Sequence, residues 1–361
     1  MAAYTFEAIT ADQASAFAAT DTLTFSTGTA TQFTVAFATD GTVSISGAGR
    51  SLVFSAAITT ASAGSGLSFA DGSLIFIGVP TNDTISVSPT APGALYGGDG
   101  NDSLSLGLKG GLIQGNQGAD TLQSTGQATI YGGQGDDKIT ASASQYDFLQ
   151  GNKGDDLIVG GAYDTILGGQ GNDTLSGGGF LNGNLGDDSI SGTGLLFGED
   201  GDDTIAANGY GTSADAGAGN DSIVATSGTN TIQGGAGADT IESGAGVDVL
   251  YGGAGADQFR FLSGGGATPG TLDQVLDWSV QDTLKFQTPP SGYAGYAAYV
   301  IGDYTTAVNQ TTGFMATNKY AYVAVQVGAD VIVFAAASSG IDVAIDLVGR
   351  SLADISASNF V

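Results

Sequence analysis

A glycine-rich acidic turn recurs through the middle of the chain, each time between short apolar steps. Examples are LYGGDGNDSL (95–104), IYGGQGDDKI (130–139), ILGGQGNDTL (166–175), IQGGAGADTI (232–241) and LYGGAGADQF (250–259). From residue 83 to residue 257, the aspartates that close successive turns are 19, 18, 17, 19, 17, 15, 15, 18, 18, 9 and 9 residues apart. The unit therefore has nine residues and is mostly used in pairs. A short fixed period with one apolar position predicts a solenoid, because a single unit cannot bury its apolar side chain without stacked neighbours.

Each unit is predicted to be a turn followed by a short strand with an apolar residue in its middle. Side chains alternate between the faces of a strand, so the apolar residue points inward while Ser103, Thr121 and Thr174 point outward. Two units would complete one flattened turn, with turns about 4.8 Å apart. The aspartate loops would then stack along one side, with degenerate segments such as SASQYD on the other. The predicted inward-facing residues are Leu104, Leu122, Ile139, Leu157, Leu175, Ile190, Ile205, Ile223 and Ile241.

Charge and composition exclude several classes of function. The 361 residues include 61 glycines, 36 acidic and 8 basic side chains, and the formal net charge is −28. A nucleic-acid partner is not expected, because the phosphates would be repelled. An acidic excess of this size opposes compaction unless cations neutralise it. Cysteine is absent, so disulfides cannot supply the missing stabilisation.

The residues also argue against an enzyme. Without histidine there is no Ser-His-Asp triad and no HExxH zinc site. G-x-S-x-G and Walker A motifs are also absent from the sequence. A pair of carboxylates could hydrolyse a glycosidic bond, but the regions outside the repeats lack residues for an aromatic-lined cleft. We therefore expect no enzymatic activity.

The repeat G-G-x-G-x-D-x-U-x, over roughly residues 79–261, resembles the RTX family (hemolysin-type calcium-binding repeats) of bacterial proteins exported by type I secretion. The resemblance implies a parallel β-roll with calcium between stacked loops, held by aspartates and loop carbonyls, and on the order of ten ions. Calcium prefers oxygen ligands, and glycine allows the turn a positive φ. The implied ligands are Asp102, Asp120, Asp137, Asp156, Asp173, Asp188, Asp203, Asp221, Asp239, Asp248 and Asp257.

Individual loops depart from this pattern. A single aspartate would more simply cap its own backbone in an Asx turn, but a stack of carboxylates about 5 Å apart without a cation would be repulsive, which favours calcium. Asp83 is a doubtful ligand because VPTND lacks the glycines. We expect altered calcium sites in the loops where either the first or the second glycine is replaced. The first-position replacements are Ala216 and Ser243, and the second-position ones are Asn152, Asn184 and Glu199.

The predicted fold class is an all-β parallel β-roll with β-rich flanks. The predicted domains are an N-terminal cap or interaction region (1–78), the roll (79–261) and a C-terminal cap with a type I secretion signal (262–361). LDQVLDWSVQDTLKF (272–286) is similar to the closing segment of serralysin-type proteins, with Asp273, Asp277 and Asp282 as secondary ligand candidates. YAYVAVQVGADVIVFAAA (320–337) is predicted to be a hairpin that turns at GAD.

The N-terminus has acidic residues where a Sec-type signal needs a basic segment, so no cleavable signal is expected. No run of about 18 apolar residues occurs, so no membrane span is expected. The resemblance extends to secreted surface-layer-like proteins of Gram-negative bacteria, which implies an extracellular, cell-surface structural protein that folds on calcium and self-assembles. The alternative is a soluble monomeric adhesin or calcium-binding effector. The expected partners are calcium, copies of the chain itself, the type I secretion machinery and cell-surface polysaccharide.

Overall fold

The computed structural model describes residues 2–62, 66–142, 146–261, 271–287, 291–337 and 340–361. The predicted domain boundary at residue 262 and part of the SASQYD segment lie outside these ranges. The chain divides into two units, Met1–Phe180 and Leu181–Val361.

The N-terminal part of the first unit is a set of small β-structures around aromatic residues. Three strands between Thr34 and Phe54 form an antiparallel meander. Phe6, Phe25, Phe33 and Phe69 pack against one another in the core, and the Tyr96 hydroxyl donates to the carbonyl of Phe33 at 3.0 Å. The elements are β1 (Ala3–Thr5), α1 (Ala11–Ser15), β2 (Thr22–Thr24), β3 (Thr34–Phe37), β4 (Val43–Gly47), β5 (Arg50–Phe54), α2 (Ala57–Ser62), β6 (Leu67–Ser68) and β7 (Leu74–Ile77), with a 3-10 turn at Ala30–Gln32.

The rest of the first unit is a parallel β-roll. Its strands are β8 (Thr84–Val87), β9 (Gly93–Asp99), β10 (Ser103–Leu106), β11 (Gly111–Gln117), β12 (Thr121–Ser124), β13 (Ala128–Gln134), β14 (Lys138–Thr140), β15 (Phe148–Lys153), β16 (Leu157–Val159) and β17 (Asp164–Gln170); β18 (Thr174–Leu185) includes the boundary between units. Even-numbered strands β8 to β16 pair in parallel with one another. Odd-numbered strands β7 to β17 do the same. The aspartate loops connect each odd-numbered strand to the next even-numbered one.

Columns of aliphatic side chains fill the space between the two sheets. Leu104, Leu122 and Ile139 occupy equivalent positions in adjacent strands, and all are buried. The prediction of Leu157 as the next member is wrong: Ile139 is in register with Ile158, which is buried, whereas Leu157 is 40% exposed. The inward residue is the second after the aspartate, which is Ile158 in the sequence DDLIV.

The second unit repeats the arrangement. Its strands are β19 (Ser189–Asp200), β20 (Thr204–Ala207), β21 (Ser213–Ala218), β22 (Ser222–Ala225), β23 (Ser227–Gly228), β24 (Thr231–Ala236), β25 (Thr240–Glu242), β26 (Ala245–Gly246), β27 (Val249–Ala254), β28 (Gln258–Phe261), β29 (Asp273–Val275) and β30 (Thr283–Phe286). One parallel sheet contains β19, β20, β22, β25, β28 and β30. The other contains β19, β21, β24, β27 and β29. The predicted all-β parallel β-roll is thus confirmed.

A C-terminal sheet continues from the second unit's roll, because β29 pairs with the last strand, β34 (Gly340–Leu347). The predicted hairpin is confirmed: β32 (Tyr322–Val327) runs antiparallel to β33 (Asp330–Ala337). A helix, α3 (Tyr304–Asn318), follows β31 (Tyr296–Ile301) and was not predicted. Ala307 and Met315 of this helix join the core formed with Val323 and Phe334. Two 3-10 turns, Leu352–Asp354 and Ala357–Asn359, end the chain.

Candidate metal centre

In each unit, the predicted aspartates other than Asp248 form a hydrogen-bonded ladder along one side of the roll. In the first unit, the backbone amide of each aspartate donates to Oδ1 of the aspartate in the next turn, at 2.7–2.8 Å, for 83–102, 102–120, 120–137, 137–156 and 156–173. The second unit repeats this for 188–203, 203–221, 221–239 and 239–257, at 2.7–3.0 Å. This bond fixes the plane of each carboxylate, so the position of its second oxygen is also fixed.

That second oxygen, Oδ2, is buried without a hydrogen-bond donor in most members of the ladder. An ionised oxygen in this state carries a large desolvation cost unless a cation or a proton compensates it. The ladder members that have such an oxygen are Asp102, Asp120, Asp137, Asp156, Asp203, Asp221, Asp239 and Asp257, and outside this ladder Asp147 and Asp248 have one as well.

The first glycine of each loop makes room for this oxygen. A Cβ added to Gly97 would lie 2.1 Å from Oδ2 of Asp102 and 2.6 Å from the carbonyl oxygen of Gly115 in the next turn. For Gly132 the corresponding distances are 2.2 Å to Asp137 and 2.7 Å to the carbonyl of Gly151. A carboxylate oxygen and a carbonyl oxygen thus border the same small space. This is a set of oxygen ligands of the kind that calcium selects.

The second position of each loop has a left-handed backbone. Glycine is found there at Gly98 and Gly133, with φ of 102° and 129°. The residues that replace glycine at this position also have φ near 80°, which asparagine tolerates better than most residues. The sequence reading missed one of them, since QGNQGAD has the same pattern as the others. The four residues are Asn116, Asn152, Asn184 and Glu199.

Burial raises the pKa of the ladder carboxyls in the absence of a cation. Burial is the largest cause in every case, and neighbouring carboxylates raise the pKa of most members further, against the lowering effect of the backbone hydrogen bond. The pKa of Asp137 is raised to about 8 and those of Asp102 and Asp203 to about 7. The pKa is raised to about 6 for Asp120, Asp156, Asp221, Asp239, Asp248 and Asp257.

The opposite side of the roll has shorter ladders of its own. Asp248 belongs here rather than with Asp239 and Asp257, because nine residues are half a turn: the Asn230 amide donates to Asp248, and the Asp248 amide donates to Asp273, each at 2.8 Å. In the first unit, the amide of Asp147 donates to Asp164 at 2.9 Å. The sequence reading assigned this side to degenerate segments and missed Asp147 and Asp164. Their position seventeen residues apart, with an aliphatic residue two places later, was the available signal.

The doubtful calcium-ligand candidate Asp83 and the secondary candidates Asp277 and Asp282 each have a different set of hydrogen bonds. Asp83 differs from the ladder members, because its Oδ2 accepts from the Val79 amide at 2.8 Å and it is only half-buried. Asp282 continues the ladder from Asp257 at 3.1 Å, but its Oδ2 accepts from the Ser279 amide. Asp277 accepts from the amides of Gly252 and Gly253. In each of these three carboxylates Oδ2 accepts a hydrogen bond, whereas Oδ2 of Asp102 and Oδ2 of Asp137 have no donor.

The donor set of the loops combines one carboxylate with backbone carbonyls. Within the described ranges, no group of three or more His, Cys, Asp or Glu side chains is placed to hold a metal. The loops nevertheless fit calcium on three counts: an orphaned buried Oδ2, a carbonyl from the next turn beside it, and oxygen as the sole donor element. The individual ligand assignments remain predictions.

These features define a class of protein: a parallel β-roll with stacked aspartate loops whose oxygens suit a hard cation. A family model of the RTX calcium-binding nonapeptide repeat (4 copies) matches this chain at residues 94–108, 114–143, 146–162, 163–179, 215–250 and 224–259. The chain thus contains RTX calcium-binding nonapeptide repeats, which supports the resemblance to the RTX family.

Comparisons with whole proteins add little. No curated protein matches the sequence. Among solved structures, the chain is similar to the extracellular lipase LipA from Serratia marcescens, with 18% identity and a TM-score of 0.22. That match covers 68% of this chain and 40% of the lipase, so the chain spans less than half of the lipase's length. In the described part of the chain, no helix has the length and apolar character needed to span a membrane.

Proposed function

We propose that this protein is a secreted structural protein that folds when calcium binds outside the cell and then self-assembles into a surface layer or extracellular filament. The observation that carries the proposal is the ladder of buried carboxylates whose Oδ2 atoms lack a donor. In the cytosol, where calcium is scarce, the net charge of −28 and these carboxylates oppose folding. An unfolded chain suits passage through a type I export channel.

Calcium reverses this balance because it binds the folded roll and not the unfolded chain. Each site stabilises the fold by about 2.7 kcal/mol when calcium is in hundredfold excess over its Kd. On the order of ten such sites would exceed the stability of a typical domain. Folding should therefore depend steeply on calcium concentration.

Self-assembly is supported by an uncharged strand of the C-terminal sheet. The sequence of β31 is YAAYVI. Among the described residues, β31 has a defined strand pairing with β32 alone. Val300 on this strand is 73% exposed. An uncharged apolar edge strand is a site where a second chain can add a strand. The proposal includes a location at the cell surface and does not include a catalytic role.

The test is sedimentation and negative-stain electron microscopy of the purified full chain, in chelator and in millimolar calcium. We expect ordered sheets or filaments in calcium and none in chelator. Val300→Lys should abolish the assemblies, because a charge on an edge strand blocks pairing. Val280→Lys is the matched control at a position that is 67% exposed and outside any strand. Compact monomers in calcium would refute assembly and favour the soluble adhesin or effector.

A further inference from the structure

A cleft of about 620 Å³ lies between the N-terminal meander and the odd-numbered strands of the roll, entirely within the first unit. One wall is the backbone of β3 at Val35, Ala36 and Phe37. The other wall and the floor come from four successive rungs of the roll, that is, from the adjacent parallel strands β9, β11, β13 and β15. Its lining includes Gly132 and Gly133 of the Asp137 loop, so the cleft adjoins the metal centre.

The floor is rich in side-chain amides arranged in register. Gln114 is in register with Tyr131, and Asn116 with Gly133 and then Asn152. Two rungs separate Asn116 from Asn152, which is about 10 Å. Gln117 and Gln134 form the next column, and all these residues line the cleft.

Asn116 and Asn152 occupy the second position of their loops, where glycine has the least strain. Both have φ near 80°, and the alternate rungs in the same column have glycine at Gly98 and Gly133. Folding alone gains nothing from these replacements, since glycine adopts this backbone most easily. Their amides do line the cleft, and Asn116 Nδ2 is oriented by the carbonyl of Gln114 at 3.3 Å.

Two aromatic rings complete the cleft. Tyr131 lies on the floor beside Phe148, with ring centroids 5.8 Å apart, and Phe37 lies on the wall. A second cavity of about 250 Å³ is also lined by Phe37, Asp99 and Gln117, so the two cavities adjoin each other at these residues. The cleft and this cavity together are called the groove, and two adjoining cavities suit successive units of a linear chain more than one compact small molecule.

We propose that this groove binds a neutral polysaccharide. Amide side chains both donate and accept hydrogen bonds, as sugar hydroxyls do, and an aromatic face packs against the apolar face of a sugar ring. The net charge of −28 disfavours an acidic polymer, and the two charged residues that line the cleft, Asp99 and Lys153, have opposite signs. An extended peptide could pair with the β3 edge, but the floor offers amides rather than the apolar pockets that would accept alternate side chains.

The aromatic lining combines Phe37, from outside the repeats, with Tyr131, from within them. Because four loops of the ladder supply the floor, binding requires the calcium-folded roll. The inference therefore rests on the calcium-driven folding in the proposed function and does not depend on assembly. Sedimentation and electron microscopy report a failure of assembly, whereas calorimetric titration reports a failure of polysaccharide binding.

The test is calorimetric titration of the full chain in millimolar calcium with dextran, mannan, galactan and laminarin, and with alginate as the acidic comparison. We expect at least one neutral polymer to bind and alginate to bind more weakly. The double variant Asn116→Gly/Asn152→Gly should weaken binding about tenfold or more through lost hydrogen bonds. It restores glycine at both positions, so its circular dichroism should match the parent. Asn184→Gly, at the same loop position outside the groove, is the matched control.

Tyr131→Ala should also abolish binding, while Tyr131→Phe retains it because the ring is preserved. The proposal is overturned if no neutral polymer binds, or if the double glycine variant binds like the parent. It is equally overturned if peptides selected from a displayed library bind in a Tyr131-dependent manner while every polysaccharide fails, since the groove would then be a peptide site.

Discussion

The backbone amide of Asp137 donates to Oδ1 of Asp156 at 2.8 Å, one turn further along the roll. This contact links the fold to its cation site, because the bond that holds adjacent turns in register also directs Oδ2 of Asp156 into a space without donors. The loop can form without an ion only if the carboxylate is protonated or strained. From this geometry we expect folding to depend on calcium.

Replacing two adjacent ladder carboxylates should raise the calcium concentration needed for folding. In Asp137→Asn/Asp156→Asn, an amide group replaces the anionic Oδ2, so two sites lose their charge. The loss is about 5 kcal/mol at hundredfold excess over Kd, from about 2.7 kcal/mol per ion. Circular dichroism during a calcium titration measures the midpoint. Asp136→Asn/Asp155→Asn removes the same charge from exposed neighbours, and an equal shift in this control would argue against Oδ2 as the ligand.

Ala216→Gly should separate cation binding from intrinsic stability. Ala216 occupies the first loop position, where Gly198 and Gly234 leave space beside Oδ2 of the next aspartate. Glycine there should lower the calcium midpoint by opening the Asp221 site, although it costs about 0.5–1 kcal/mol of strand stability without the ion. Calorimetric calcium titration and denaturation at low pH in chelator report the two effects. An unchanged calcium affinity would show that the methyl group does not obstruct this site.

The register of the core can be tested at two neighbouring rungs. Ile139→Ala should reduce the free energy of unfolding in calcium by about 2–5 kcal/mol, because this side chain is fully buried. Leu157→Ala should cost less than about 1 kcal/mol, since Leu157 points outward. Urea denaturation measures both. Similar losses for the two variants would mean that the strand after Asp156 is shifted by one residue.

Without calcium, folding should be favoured by acid. The ladder carboxyls have pKa values of about 6 to 8 in the fold, against an ordinary value of 3.8. The folded state therefore binds protons more tightly, and this contribution is complete below pH 4 and lost as pH rises through 6 to 8. In chelator, β-structure should increase from pH 8.5 to pH 5. In calcium the trend should reverse, because protons compete with the ion. Invariant β-structure in chelator across this range would contradict the burial of these groups.

The repeat was sufficient to predict the roll, since the nine-residue period determines both the strand positions and the stacking of the loops. It was also sufficient for the aspartate ladder, because every loop closes with the same residue. Leu157 was assigned wrongly because three aliphatic residues follow Asp156, and hydrophobicity alone does not choose among them. The backbone register makes that choice in favour of Ile158.

Other features depend on tertiary context. Asp147 and Asp164 lie in segments without the glycine pattern, so their pairing emerges only when the turns are stacked. Helix α3 contains five threonines and has no strong amphipathic pattern; packing of Ala307 and Met315 on the C-terminal sheet stabilises it. The groove combines β3 with rungs some hundred residues later in the chain, and no local pattern links them.

The central claim is that calcium binding to the ladder drives folding of the roll. The most direct measurement is far-ultraviolet circular dichroism of the full chain at pH 7.5, titrated from chelator into millimolar calcium. We expect a largely unfolded spectrum in chelator and a steep, reversible transition to a β-rich spectrum as calcium is added. The same β-rich spectrum in chelator as in calcium would contradict it.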